Sequence, residues 1–174
     1  MRKLKLEELN RLSLTEFREA EKQPVTVVLD NIRSMHNVGA VLRTADAFRI
    51  EKVILCGITP IPPHREIHKT AIGAEDSVNW EYQPDILSTI SELKTRGYKI
   101  YSIEQTDQSI ALNKFEPSPE RCAIVFGNEV EGVSQSIINI SDMAIEIPQF
   151  GTKHSLNVSV AAGIVLYKFT VEVL

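Results

Sequence analysis

The sequence predicts an α/β fold, a mostly parallel sheet flanked by helices. Three observations carry that expectation. Short apolar, β-branched runs alternate along the chain with stretches of helical periodicity. Two of those runs, residues 25–29 and 123–126, are continuously apolar, as strands buried on both faces are. The last predicted helix is apolar on nearly every side, so it needs cover on nearly every side. With 174 residues, 43% hydrophobic and 24% charged, the chain can bury one real core. That composition excludes disordered, collagen-like and coiled-coil classes.

The elements follow in order. Residues 4–22 read as a helix, because Leu6, Leu9, Leu12 and Phe17 recur near helical spacing before Pro24. Residues 25–29 are the first strand. Residues 30–36 form a polar loop, and Asn37 is a candidate N-cap. Val38, Val41, Leu42, Ala45 and Phe48 then give the apolar face of a second helix. Residues 52–56 are a strand; residues 59–63 carry three prolines and must be loop. Residues 64–69 read as an exposed loop or short helix. Residues 77–82 are a short strand, and residues 85–96 a helix closed by Gly97. Strands follow at 99–103, 121–126 and 143–147, with a short helix at 134–139 between the last two. Residues 155–169 form the last helix, with Ser155 as its plausible cap. It carries two stripes, Leu156, Val160, Ile164 and Tyr167, and Val158, Ala161, Val165 and Phe169, so one side is expected to be covered by a second copy of the chain, or else by loops.

Several function classes are disfavoured. The net charge of −4 is not that of a bulk polycation, so any nucleic acid must meet a local basic patch. No run approaches the ~20 apolar residues of a membrane span, and no secretory h-region is visible at the start. The expected location is the cytoplasm, and Cys56 and Cys122 are expected as reduced core residues. No dinucleotide fingerprint, P-loop or nucleophile elbow is present. His64 and His68 lack the glutamate placement and third ligand of a zinc site, so no metal is expected.

In open α/β sheets ligands collect beyond the carboxyl ends of strands. Three such stretches, 30–44, 127–134 and 148–159, hold four of the eight glycines. They contain N-x-G-A-x-x-R-T from Asn37, F-G-N-E-x-x-G from Phe126, and I-P-x-x-G-x-x-x-S-L-N-V-S-V-A from Ile147. In order and spacing these resemble the three motifs of the SpoU (TrmH-type) RNA 2′-O-ribose methyltransferases of the SPOUT superfamily. Gln149 departs from the methionine common at that place.

The resemblance implies a catalytic domain over residues 24–174, behind an N-terminal helical extension at 1–23. It implies a C-terminal trefoil knot, a homodimer and S-adenosyl-L-methionine as cofactor, held by Ile103, Glu104, Gly127, Ile147, Ser155 and Leu156. It also implies methyl transfer to a ribose 2′-hydroxyl of RNA, tRNA before rRNA. The catalytic set it marks is Arg43, Asn37, Glu129, Ser155 and Asn157. A guanidinium forks well onto phosphate and gives up its proton only at high cost. Arg43 is therefore ranked as a phosphate clamp before a general base. Glu129 would orient Arg43 or accept a proton. RNA would meet Arg33, His36, Arg43, Lys69 and Lys153, with Arg49, Arg65, His68 and His154 beside them. A non-catalytic SPOUT dimer and an unrelated α/β metabolic enzyme are the alternatives.

Overall fold

The computed structural model describes residues 1–171; the last three residues of the expected domain lie outside them. One seven-stranded sheet is entirely parallel. Its strands are β1 (Gln23–Asp30), β2 (Ile50–Cys56), β3 (Trp80–Gln83), β4 (Lys99–Ile103), β5 (Ile110–Ala111), β6 (Cys122–Phe126) and β7 (Met143–Glu146). Their spatial order is β3-β2-β1-β6-β4-β7-β5. The helices are α1 (Leu14–Glu19), α2 (Met35–Ala47), α3 (Arg65–Ala71), α4 (Ala74–Ser77), α5 (Ile86–Thr95), α6 (Gln135–Ile140) and α7 (Val158–Val171).

The pleat divides the core into two layers. Val25, Val27 and Leu29 of β1, with Ile124 and Phe126 of β6, join a layer with Val41 and Leu42 of α2 and Val165 and Leu166 of α7. Val28, Ala123 and Val125 point the other way, toward Ile90 and Leu93 of α5 and Ile137 of α6. Truncating a side chain such as Ile124 to alanine costs ~2–5 kcal/mol at such sites. Gly39 lets α3 lie close on α2, since a Cβ there would sit 2.2 Å from Thr70 Oγ1 and 2.3 Å from the Ile67 carbonyl oxygen. Both cysteines are free and buried, and desolvation pushes each thiol up to about 12. Among the described residues no helix is long and apolar enough to cross a membrane.

Four local expectations are corrected. Residues 4–22 are not one helix. A 3-10 turn (Leu6–Leu9) ends at Asn10 in the left-handed region, and α1 starts afresh. The restart is a capping box: Ser13 Oγ accepts the Glu16 N–H, and Glu16 Oε2 accepts the Ser13 N–H. Phe17 of α1 is buried in the main core. Helix α2 is capped by Ser34, not Asn37, which lies in its first turn. Ser77 ends α4, so the strand placed at 77–82 is β3, starting at Trp80. Residues 65–71 are helical. Finally, α7 begins at Val158, and its cap is Asn157, whose Oδ1 accepts the Ser159 N–H at 2.9 Å; Ser155 stays outside the helix.

Candidate active site

A cavity of about 570 Å³ opens at the carboxyl ends of β4, β6 and β7. Its apolar lining includes Ile103, Ile147, Leu156 and Val158. The loop after β6 closes one side and can do so only with glycines. A Cβ on Gly127 would lie 2.1 Å from the Gly132 carbonyl carbon. Gly132 itself has φ +69°, and a Cβ there would lie 2.1 Å from Glu104 Oε2. Glu104, at the end of β4, accepts the Val133 N–H at 2.9 Å and the Gln105 N–H at 2.8 Å. Gln105 Nε2 donates to the His154 carbonyl at 2.8 Å, so the β4 end ties down the loops after both β6 and β7.

A chain of polar contacts runs from α2 across the cavity mouth. Asn37 is buried, and its Nδ2 donates to Glu129 Oε1 at 3.0 Å. Asn157 Nδ2 donates to Asn37 Oδ1 at 3.1 Å. Glu129 also accepts the Arg33 N–H at 2.9 Å and the Ser34 N–H at 3.1 Å. Partial burial pushes the Glu129 carboxyl up, but these hydrogen bonds outweigh it and hold the group below its ordinary range. Asn128 shapes the same loop: its Oδ1 accepts the Val130 N–H at 2.8 Å, and its Nδ2 donates to the Asn31 carbonyl at 2.7 Å.

The predicted residues therefore fall into separate groups. Ile103, Glu104, Gly127, Ile147, Ser155 and Leu156 all line the cavity, with Glu129 and Asn157. Arg43 does not. It is exposed on α2 and lines a groove with Phe48, Ile164 and Tyr167, against α7. Within the chain Glu129 does not contact it; its hydrogen bonds come from Arg33, Ser34 and Asn37. Among the expected RNA contacts, His36 and Lys69 share Glu66, at 2.9 Å and 2.7 Å. Lys69 first and His36 second hold that carboxyl below its ordinary range. Arg33, Lys153 and His154 are exposed near the mouth, and His68 pairs with Glu75. Among the described residues no cluster of three metal-ligating side chains occurs. Sequence reasoning did not single out Gln105, Asn128 or Gly132. The last two lie in the F-G-N-E-x-x-G run that was already flagged; Gln105 carries no local signal.

A parallel sheet, glycine-shaped loops at its carboxyl edge and a glutamate–asparagine–asparagine chain at the cavity mouth define a SPOUT-type methyltransferase domain. The model of the SpoU rRNA methylase family matches residues 24–167, and the chain belongs to that family. It is 36% identical over 143 residues to the 23S rRNA (guanosine-2′-O-)-methyltransferase of Neisseria meningitidis serogroup B, covering 82% of this chain and 56% of that protein. It is 30% identical over 161 residues to the tRNA (guanosine(18)-2′-O)-methyltransferase of Thermus thermophilus, covering 92% of this chain and 81% of that one. The crystal structure of the TrmH/SpoU tRNA modifying enzyme of A. aeolicus superposes with a TM-score of 0.81 at 29% identity, covering 91% of this chain and 81% of that one. The chain thus spans little more than half of the Neisseria relative and most of the other two.

Proposed function

We propose that this chain transfers the methyl group of S-adenosyl-L-methionine to a ribose 2′-hydroxyl of RNA, as a cytoplasmic homodimer. The carrying observation is the chain Glu129–Asn37–Asn157, set at the mouth of a cavity of about 570 Å³. That volume lies inside the ~300–1,000 Å³ range of small-molecule sites. The cavity fits the cofactor: apolar walls at Ile103, Ile147 and Leu156 suit an adenine, and glycine backbone at 127 and 132 lets groups approach closely. When bound, the cofactor supplies an electrophilic methyl group.

The residues around the cavity do the remaining work. Ile103, Gly127, Ile147, Ser155 and Leu156 hold the cofactor. Glu104 acts at one remove, since its two carboxylate oxygens already hold backbone N–H groups of the enclosing loops. Asn157 and Ser155 orient the ribose. They would thereby hold the 2′-hydroxyl for transfer of the methyl group that the cofactor supplies, its proton passing to solvent. Glu129 is a weak base here, its carboxylate held below its ordinary range by the hydrogen bonds it accepts, so its role is to lock Asn37 and the β1–α2 loop in place.

Arg43 clamps the neighbouring phosphate. It lies outside its own chain's cavity, on the α2–α7 face where Val160, Ile164 and Tyr167 are exposed. A second copy packed on that face covers the stripe and brings Arg43 to the partner's cavity. The trefoil knot of the family belongs to this proposal, as does an N-terminal extension at 1–23 before the catalytic domain. The Thermus and A. aeolicus relatives favour tRNA; the Neisseria relative favours rRNA as the second reading.

The test is transfer of labelled methyl from S-adenosyl-L-methionine to tRNA and, separately, to rRNA from cells lacking the protein, followed by mass spectrometry of the nucleosides. A 2′-O-methyl nucleoside in one pool is expected. Cofactor binding without transfer to either pool would point instead to a non-catalytic dimer.

A further inference from the structure

A second groove of about 740 Å³ lies between residues 10–17 and helices α2 and α4, away from the cofactor cavity. Arg11, Arg43 and Arg49 line it against a single carboxylate, Asp46, which accepts the Ser77 hydroxyl. Arg2, Arg96 and Arg121 are each paired with a glutamate. The three arginines of the groove make no ion pair among the described residues. On a chain of net charge −4, three unpaired guanidinium groups converging on one groove make a local anion surface. The groove also has apolar walls: Leu12 and Ile72 line it and are 47% and 64% exposed.

We infer that this groove holds a single strand of RNA flanking the target nucleotide, with phosphates on Arg11 and Arg49 and an unstacked base against Leu12 and Ile72. The inference rests on the methyltransferase reading above, because Arg43 lines both this groove and the α2–α7 face. The strand would run outward from the phosphate that Arg43 clamps. A duplex presents phosphates but keeps its bases stacked, leaving the apolar wall without a partner; splayed single-stranded bases supply one. Residues 10–17 then serve as one wall of the RNA path. That gives a role to the break at Asn10, which separates the two short helical pieces.

The experiment measures binding of fluorescent tRNA and of a single-stranded oligonucleotide by the full chain at several salt concentrations. In Arg11→Gln/Arg49→Gln the affinity is expected to fall ~10-fold, and the slope of log affinity against log salt to drop by about 1.4, at ~0.7 per lost single-strand phosphate contact. KM for tRNA should rise while kcat and cofactor affinity stay unchanged. Ile72→Asn, at a left-handed residue that asparagine tolerates, should weaken oligonucleotide binding without changing the slope. Circular dichroism checks that each variant folds. Unchanged affinity and slope in the double variant, with wild-type protein still methylating RNA, would overturn the groove and leave the proposed function standing. A shift in oligomeric state in the double variant would overturn it too, making the groove a subunit contact. Wild-type protein that neither binds nor methylates any RNA would remove both readings.

Discussion

Glu129 Oε1 accepts a hydrogen bond from Asn37 Nδ2 at 3.0 Å, across 92 residues of sequence. The same asparagine accepts from Asn157 through its other amide atom, so one buried side chain joins the first turn of α2 to the loops after β6 and β7. Replacing Asn37 with alanine removes both contacts at once. Glu129 and Asn157 are exposed enough to be rehydrated, so the stability cost should stay near ~1 kcal/mol. The catalytic cost should be larger, because a displacement of ~1 Å at a reacting group can cost ~10²-fold. Single-turnover methyl transfer beside thermal unfolding separates the two effects. A variant that transfers at the wild-type rate would show that the junction is only structural.

The pH dependence of Glu129 follows from its contacts. Its folded carboxyl lies below the ordinary value of 4.5, so its contribution is present above that value and is lost as pH falls through the lower, folded one. Between about pH 5 and pH 9 the group stays charged, and kcat/KM should show no limb that belongs to it. Glu129→Gln should lower the rate across that range and leave the shape of the profile unchanged. If the substitution abolished a limb seen in the wild type, Glu129 would be a proton acceptor after all.

Gly127→Ala tests the backbone geometry of the cofactor cavity. The new Cβ would meet the Gly132 carbonyl oxygen and the Val133 nitrogen at 2.2 Å, and both are backbone atoms with no rotamer to yield. Overpacking of this kind costs ~1–3 kcal/mol, and here it displaces the loop that walls the cavity. Calorimetric titration with S-adenosyl-L-methionine should show a large loss of affinity. Gly151→Ala, whose Cβ would meet nothing within 4 Å, should fold as the wild type does.

Much of this was legible in the sequence, for identifiable reasons. Strands β1 and β6 announced themselves because burial on both faces favours runs of Val, Ile, Leu and Phe, interrupted here only by Thr26 and Ala123 within residues 25–29 and 123–126. Gly127, Ile147, Ser155 and Leu156 came from the loop motifs after β6 and β7, where Gly127 has a steric reason to be there, whereas Ile103 and Glu104 came with the family resemblance alone. What stayed hidden depended on packing between distant segments. The Asn37–Glu129 bond and the Gln105–His154 bond join residues with no local relation. Helix starts were misplaced by one to three residues, because several side chains in 34–37 and 155–157 can cap and only the folded path selects Ser34 and Asn157. The break at Asn10 was masked by leucines at helical spacing on both sides of it, although Ser13 and Glu16 carried the restart signal.

The cysteines give a direct test of core integrity. Both thiols are pushed up to about 12 by burial, and the thiolate is the reactive species. At about pH 8 neither Cys56 nor Cys122 should react with an aromatic disulfide reagent in the folded protein, and both should react in guanidinium. Rapid reaction of one thiol under native conditions would mean that its strand opens locally.

The position of Arg43 makes the sharpest demand on the assembly. It is exposed beside Ile164 and Tyr167 and lies outside the cavity that holds Glu129 and Asn157. If a second subunit covers that face, Val160→Glu/Ile164→Glu should yield a folded monomer by light scattering, bind cofactor and lose transfer, because four buried like charges at the two-fold contact are costly. Arg43→Ala should stay dimeric, keep cofactor affinity and lose transfer, as should Asn157→Ala. Mixing these last two variants, after a cycle of dissociation and reassociation, then decides where Arg43 acts. In a mixed dimer, the intact Arg43 of the Asn157→Ala chain faces the intact cavity of the Arg43→Ala chain only if the arginine serves its partner. Recovery of a substantial fraction of transfer on mixing is therefore expected. No recovery, with mixed dimers demonstrated by mass spectrometry, would place Arg43 at the cavity of its own chain and require α2 to move.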